Sequence, residues 1–311
     1  MRASANSTPA RFLPHPKSCS KTARPQPPEK AFTSARRTCS STQNLKISNR
    51  NTARIENMSN PTLDLIRAHG SCRRYRPDDV SNEMIESIVE AGQRASTSSN
   101  MQAYSVVAVT DAAKRTELAR LCGQQKHIAQ APVFLAWCAD LARLDRACQL
   151  RELEQSSEHV ENFLVAAVDA AIVAQNAALA AQSLGLGICY IGSIRNNPRE
   201  VIQLLELPRL VFPVTGMTIG WPEKPPRTRP RLGLEAVLHR ERYNPNQDEA
   251  LLAYDREMAA TGIYEGRQVE IPGRPGEMEA YGWLEHSARR VAQPMRTFLR
   301  EVLEEQGFLL K

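Results

Sequence analysis

None of the seven cysteines, Cys19, Cys39, Cys72, Cys122, Cys138, Cys148 and Cys189, is spaced as a CxxC pair, and no apolar signal segment precedes them. This excludes a secreted disulfide scaffold and points to a reduced compartment with free thiols. The six histidines are scattered, without HxxxH spacing or a Cys/His grouping, so no metal site is expected. No Ser-His-Asp set and no carboxylate pair is recognisable, so nothing demands a protein nucleophile. No repeat of fixed period runs along the chain, and no apolar run of membrane length is free of polar residues. The longest, Phe163 to Ala181, is Ala-rich and carries Asp169, Gln175 and Asn176 across its middle. Such groups are costly in lipid, and the run is read as a helix in a core or along a subunit interface, with no membrane partner.

Acidic residues are scarce only at the start. Residues 1 to 57 hold eleven Lys or Arg against Glu29 and Glu56, so the overall +6 leaves −3 for the remaining 254 residues. This leading stretch has six prolines, much Ser and Thr, and no helical or strand periodicity, and it is expected to be disordered. It reads as an organelle transit peptide, a basic nucleic-acid-binding arm, or a stretch translated from a misplaced start. The last is preferred, because patterned sequence begins at once at Met58 and the stretch lacks the Arg-apolar alternation of an amphipathic transit helix. A nucleic-acid partner is not expected, given the negative balance of the rest. The expected location is cytoplasmic, with organelle import if the leading stretch is a transit peptide.

What is present is a chain with 42% hydrophobic residues, enough for a substantial core. Periodicity predicts helices near 61–69, 82–95, 112–122, 158–184, 198–206, 248–260 and 283–305, and strands near 104–110, 132–139, 187–191 and 212–220. This is an α+β pattern, read as one domain over 58–311 with a C-terminal excursion from about 240. Two stretches rich in Pro, Gly and Arg, Pro222 to Pro230 and Glu265 to Glu277, read as surface wraps.

The most informative segment is AAQSLGLGICYIGSIRNNP, Ala180 to Pro198. A long apolar helix gives way to Gly185, Gly187 and a short strand, then to Tyr190, Ile191, Gly192 and Ser193, where bare backbone amides can face a flat or anionic ligand. Alone it also fits a helix capped at Gly185 and an ordinary buried strand. AHGSCRRY places His69, Ser71, Arg73 and Arg74 together, and PPRTRPRL adds Arg227, Arg229 and Arg231, extended by prolines; paired guanidiniums suit a phosphate. Ser96 to Asn100 in QRASTSSNMQAYS, and Gln125, Lys126 and His127 in CGQQKHIAQAP, offer donors to a heterocycle edge or are plain polar loops.

In this order and at these separations the segments resemble the nitroreductase family, in its oxygen-insensitive NADPH nitroreductase and flavin reductase branch. HGSCRRY, STSS with Gln102 following, GQQKHIAQAP, VDAAIVAQNAALAAQSLGLGICYIGSIRNN, GWPEKPP and RPRL carry the resemblance, over nearly all of 58–311. It implies a mixed sheet flanked by helices and an extensive homodimer interface whose two subunits line each of two FMN sites. His69, Ser71, Arg73, Arg229 and Arg231 would hold the phosphate and ribityl end, and Thr97, Gln125, Lys126, His127 and the backbone of Tyr190, Ile191, Gly192 and Ser193 the ring system. Ser99, Arg195, Arg267 and Arg274 are candidates for contact with substrate or NADPH.

The implied reaction passes two electrons by a ping-pong mechanism from NAD(P)H, NADPH favoured, to nitroaromatics, quinones or free flavin. An alternative is an FMN-binding redox sensor or electron-delivery protein with little turnover. The chain also departs from the family pattern. Gly70 stands where Arg is usual, with Arg74 able to compensate; Arg229 replaces a typical Lys; Ser193 stands where Gly is frequent; and Thr261 to Tyr281 is unlike the expected loop for the NADPH ribose phosphate.

Overall fold

The computed structural model describes residues 60–311; the expected disorder of residues 1–57 lies outside them. The order of elements is α1 (Pro61–Arg67), α2 (Asn82–Gly92), β1 (Tyr104–Val109), α3 (Ala112–Leu121), α4 (Lys126–Gln130), β2 (Val133–Asp140), α5 (Ala142–Leu150), α6 (Val160–Ser183), β3 (Gly187–Ile191), α7 (Pro198–Leu204), β4 (Val211–Gly220), α8 (Asp248–Ala260), β5 (Gln268–Glu270), β6 (Met278–Ala280), α9 (Trp283–Ala292) and α10 (Leu299–Glu305). Side-chain caps start the early helices. Asn60 Oδ1 accepts from Thr62 N at 2.9 Å, with Pro61 following, and Asp111 Oδ1 accepts from Lys114 N at 2.7 Å.

Four strands form the sheet in the order β1-β2-β4-β3. Every pairing among them is antiparallel, so the α+β expectation holds while the sheet of this chain is not mixed. The physical reason lies in the connections: β4 enters between β2 and β3 and runs against both. All eight residues of central β2 are buried. Val133, Leu135 and Trp137 face one layer with α2 and the Ala-lined side of α6, while Phe134, Ala136 and Cys138 face the other with Leu118, Leu121, Ile128 and Val201 from α3, α4 and α7. Burying residues of this size contributes roughly 1.5–3 kcal/mol each.

Helix α6 ends as its sequence predicts. Gly185 takes a φ of 82°, Leu186 N donates to Ala181 O and Gly185 N to Gln182 O, both at 3.0 Å, which is the double bond of a Schellman cap. That turn sends the chain directly into β3. Between Trp137 and Cys138 the β2–β4 register shifts, leaving Val214 of β4 without an opposite residue. The resulting bulge turns the Val214 carbonyl to another use, described below.

Three differences from the sequence expectations stand out. The helix expected over 283–305 is two helices, because Pro294 cannot continue the first. The Glu265 to Glu277 stretch contributes to a small antiparallel hairpin, β5–β6. Short helices α4 and α5, whose entries carry no side-chain cap, were not expected. The chain's end returns to the core: Phe308 is fully buried and stacks edge-on with Phe163, and Lys311 N donates to Glu158 O at 2.7 Å.

Candidate active site

The segment after α1 runs beside β3, with Cys72 N donating to Ile188 O at 2.8 Å. The same segment pairs with the start of the second basic stretch through the Tyr75–Pro222 bridge, with Glu223 N donating to Arg74 O at 3.1 Å, and so the first basic cluster meets the second. A cavity of about 410 Å³ is lined by His69, Ser71, Arg73, Arg229 and Arg231, the five residues expected to hold a phosphate, together with Arg227 and Thr228. No Asp or Glu lines it. None of its four arginines forms an ion pair with a carboxylate among the described residues. Four guanidiniums gathered without a counter-charge favour a dianion strongly. His69 Nδ1 donates to Gln182 Oε1 at 3.2 Å, which fixes the ring and leaves its other nitrogen free.

A second cavity, of about 750 Å³, is lined by Gln125, Tyr190, Ile191, Gly192, Ser193 and Arg195. Gln125 Nε2 donates to Cys122 O at 2.8 Å and also to Ser193 Oγ. Packing does not require a glycine at 192. A Cβ there would meet nothing nearer than Arg195 Nη2 at 3.7 Å. The missing side chain leaves the backbone bare toward the cavity, as a flat ligand needs. Tyr190 donates to Gln175 Oε1 at 3.3 Å, and burial pushes its hydroxyl pKa up to about 12. Burial likewise pushes the Cys122 thiol up to about 12, partly offset by Ser193, so this cysteine is not a ready nucleophile.

Lys126 and His127, at the start of α4, line a third cavity with Arg73. Burial, and secondarily the charge of Arg73, lower the His127 pKa, which keeps the ring neutral near pH 7. His127 Nε2 is buried and has no hydrogen-bond partner. A buried polar atom without a partner is costly. Arg73 is common to the first and third cavities, and its charge acts on His127 and on Cys189 next to Tyr190. The Ser71 hydroxyl also reaches the Cys189 thiol.

Arg195 is tied down by donating from Nη1 to the Val214 carbonyl freed by the bulge. Facing it across the second cavity are Arg290 and Arg296, which no sequence motif flagged. Arg296 donates to Asn196 Oδ1 at 2.9 Å. Desolvation first, then Arg296, lowers the Arg195 pKa; desolvation first, then Arg290, lowers that of Arg296. The three repel one another with no carboxylate in the lining.

Other expected residues lie apart. Thr97 and Ser99 line none of these cavities. Their loop is held from below by buried Asp169, which accepts from Ser98 N at 3.0 Å and Ala103 N at 3.1 Å, and it contains Ser99, Asn100 and Gln102 in left-handed conformations. Arg267 and Arg274 sit on the β5–β6 hairpin, outside these cavities, and Arg274 pairs with Glu277 at 3.4 Å. Arg74 lines the neighbouring basic cavities but not the one with His69.

An acid-free arginine cavity and a second cavity floored by open amides suit a site in which a bound cofactor carries the chemistry. Comparison with known proteins supplies the family. The Nitroreductase family model matches residues 66–221, and the Nitroreductase family C-terminal domain model matches 229–311. The chain is 37% identical over 248 residues to the oxygen-insensitive NADPH nitroreductase of Salmonella typhimurium, covering 80% of this chain and 98% of that protein. It is 39% identical over 254 residues to the FMN reductase [NAD(P)H] of Bacillus subtilis, again covering 80% and 98%. The solved structure of the NADPH:FMN oxidoreductase of Vibrio harveyi complexed with NAD+ matches with a TM-score of 0.71 at 32% identity, over 81% of this chain and 100% of that one. The chain belongs to the nitroreductase family, and it is an oxidoreductase.

Proposed function

We propose that this chain is an FMN-dependent reductase that passes two electrons by a ping-pong mechanism from NAD(P)H, with NADPH preferred, to nitroaromatics, quinones or free flavin. The observation that carries the reading is the acid-free arginine cavity, with Arg73 shared between it and the cavity of Lys126 and His127, and the open Gly192–Ser193 backbone lining a further cavity. These groups fit FMN at both ends.

When bound, FMN supplies the two-electron chemistry. The protein's part is binding, orientation and charge. His69, Ser71, Arg73, Arg229 and Arg231 neutralise the phosphate; Gln125, His127 and the Gly192 and Ser193 amides orient the ring edge; Lys126, Arg73 and Arg195 place positive charge where the reduced ring is electron-rich. Donor and acceptor share the cavity of Gly192 and Arg195, so each excludes the other. With saturating protein-bound FMN, initial rates of NADPH oxidation against a quinone should give parallel double-reciprocal lines. Intersecting lines would contradict the shared pocket, and negligible turnover would favour the redox-sensing alternative.

The functional unit is a homodimer built on one domain over 58–311 with a C-terminal excursion from about 240. Support comes from α6. Its inner face is alanine with Val173 and Asp169, whereas Val160, Leu164, Val168 and Ile172, spaced four apart, are exposed together with Leu63 and Ile66. An apolar stripe of that length on a helix asks for cover. In the dimer Thr97 and Ser99 reach the site of the partner subunit, which accounts for their distance from these cavities. The assembly works in the cytoplasm.

A further inference from the structure

The resemblance carried by HGSCRRY implies an arginine where this chain has Gly70, so the proposed phosphate end is one guanidinium short of that expectation. Gly70 is buried, and the backbone of the PPRTRPRL segment crosses directly over it. A Cβ at position 70 would lie 2.6 Å from the Arg227 carbonyl oxygen, 3.0 Å from its carbonyl carbon and 3.1 Å from Pro226 Cβ. No side chain fits at 70 while the crossing segment keeps this path. The same segment carries Arg227 into the lining of the cavity that holds His69, Ser71, Arg73 and Arg229.

We infer that Arg227 is a phosphate-binding residue of the FMN site, standing in for the arginine absent at position 70, and that Gly70 is the condition for its approach. The inference rests on the FMN reading above. A phosphate has three terminal oxygens, each able to accept more than one hydrogen bond, so a fourth guanidinium finds acceptors to spare. Arg74 is the competing candidate. It is close in sequence, but it lines only cavities shared with Glu223, whereas Arg227, which lines one of these too, also lines the acid-free one. Position 227 therefore supplies the charge that position 70 lacks, from the segment packed directly against it.

The test is titration of the flavin-free full-length protein with FMN and with riboflavin, which has the same ring and no phosphate, followed by flavin fluorescence. Arg227→Ala is expected to weaken FMN binding by about tenfold to a hundredfold, the range for losing one charge-assisted hydrogen bond. Riboflavin affinity and the melting temperature of the flavin-free protein should not change. Arg74→Ala should weaken FMN by less than about threefold, as an exposed charge at a distance does. Equal loss of both flavins in Arg227→Ala would show a structural role and overturn the inference, as would no loss of FMN, or a larger loss in Arg74→Ala. A wild type that binds neither flavin would contradict the FMN reading itself and the inference with it.

Discussion

The two ends of the site are built by different means. At the proposed phosphate end the recognising groups are side chains, carried by two segments far apart in sequence and brought together by the bridge between Tyr75 and Pro222. At the ring end they are mostly main chain, exposed by a glycine that packing does not require and framed by arginines from the C-terminal excursion. Charge reads directly from sequence, whereas an open amide is recognisable only once the surrounding space is known. The first end is therefore expected to respond to single substitutions as an electrostatic site, the second as a surface of shape and access.

Arg73 lines both the arginine cavity and the cavity of Lys126 and His127, so Arg73→Ala should give the largest effect. FMN affinity is expected to fall about a hundredfold in a fluorescence titration, from lost charge-assisted hydrogen bonds worth roughly 1.5–3 kcal/mol. An unchanged affinity would break the link between the two cavities. Disrupting the apolar stripe comes next: Ile172→Glu should convert a dimer to monomers at micromolar concentration in sedimentation velocity, because a charge is placed in a surface that is otherwise desolvated. A monomeric wild type would instead remove the proposed source of Thr97 and Ser99. At the ring end, Arg296→Ala should lower kcat/KM for an anionic nitrobenzoate about tenfold while FMN affinity stays within about twofold, separating access from cofactor binding.

The smallest expected effect concerns His127. Its pKa is lowered in the folded protein, chiefly by burial, so the unfolded chain binds the proton more readily. Stability of the flavin-free protein should therefore fall as pH drops below the ordinary histidine value of about 6.5, until the folded-state pKa is passed. His127→Gln should flatten that part of the melting-temperature profile between pH 7.5 and 5. A slope unaffected by the substitution would assign the acid sensitivity elsewhere.

Much of this architecture is legible in the chain. Capping signals, the Gly185 turn and the alternation of strands locate β1 to β4 and most of the long helices, because each is set by neighbours in sequence. The five phosphate-end residues were likewise readable as charge clusters and converge on one cavity. Helices α4 and α5 escaped because they are short and lack side-chain caps. Arg290 and Arg296 escaped for a different reason. Their roles depend on where the chain on either side of Pro294 lies in space, which residues near in sequence do not set. Conversely, Thr97 and Ser99 were readable as donors, but the sequence does not say that Asp169 holds their loop away from the cavities of their own chain.

The central claim is that these cavities hold FMN and relay electrons from NADPH to an acceptor. The most direct measurement is the visible absorbance of the FMN-loaded protein under anaerobic conditions, recorded before and after NADPH and then after a nitrobenzene derivative. The account predicts flavin bands that bleach with NADPH and return with the acceptor. Protein that acquires no flavin bands when FMN is added, or bands that persist unchanged with both NADPH and NADH, would contradict it.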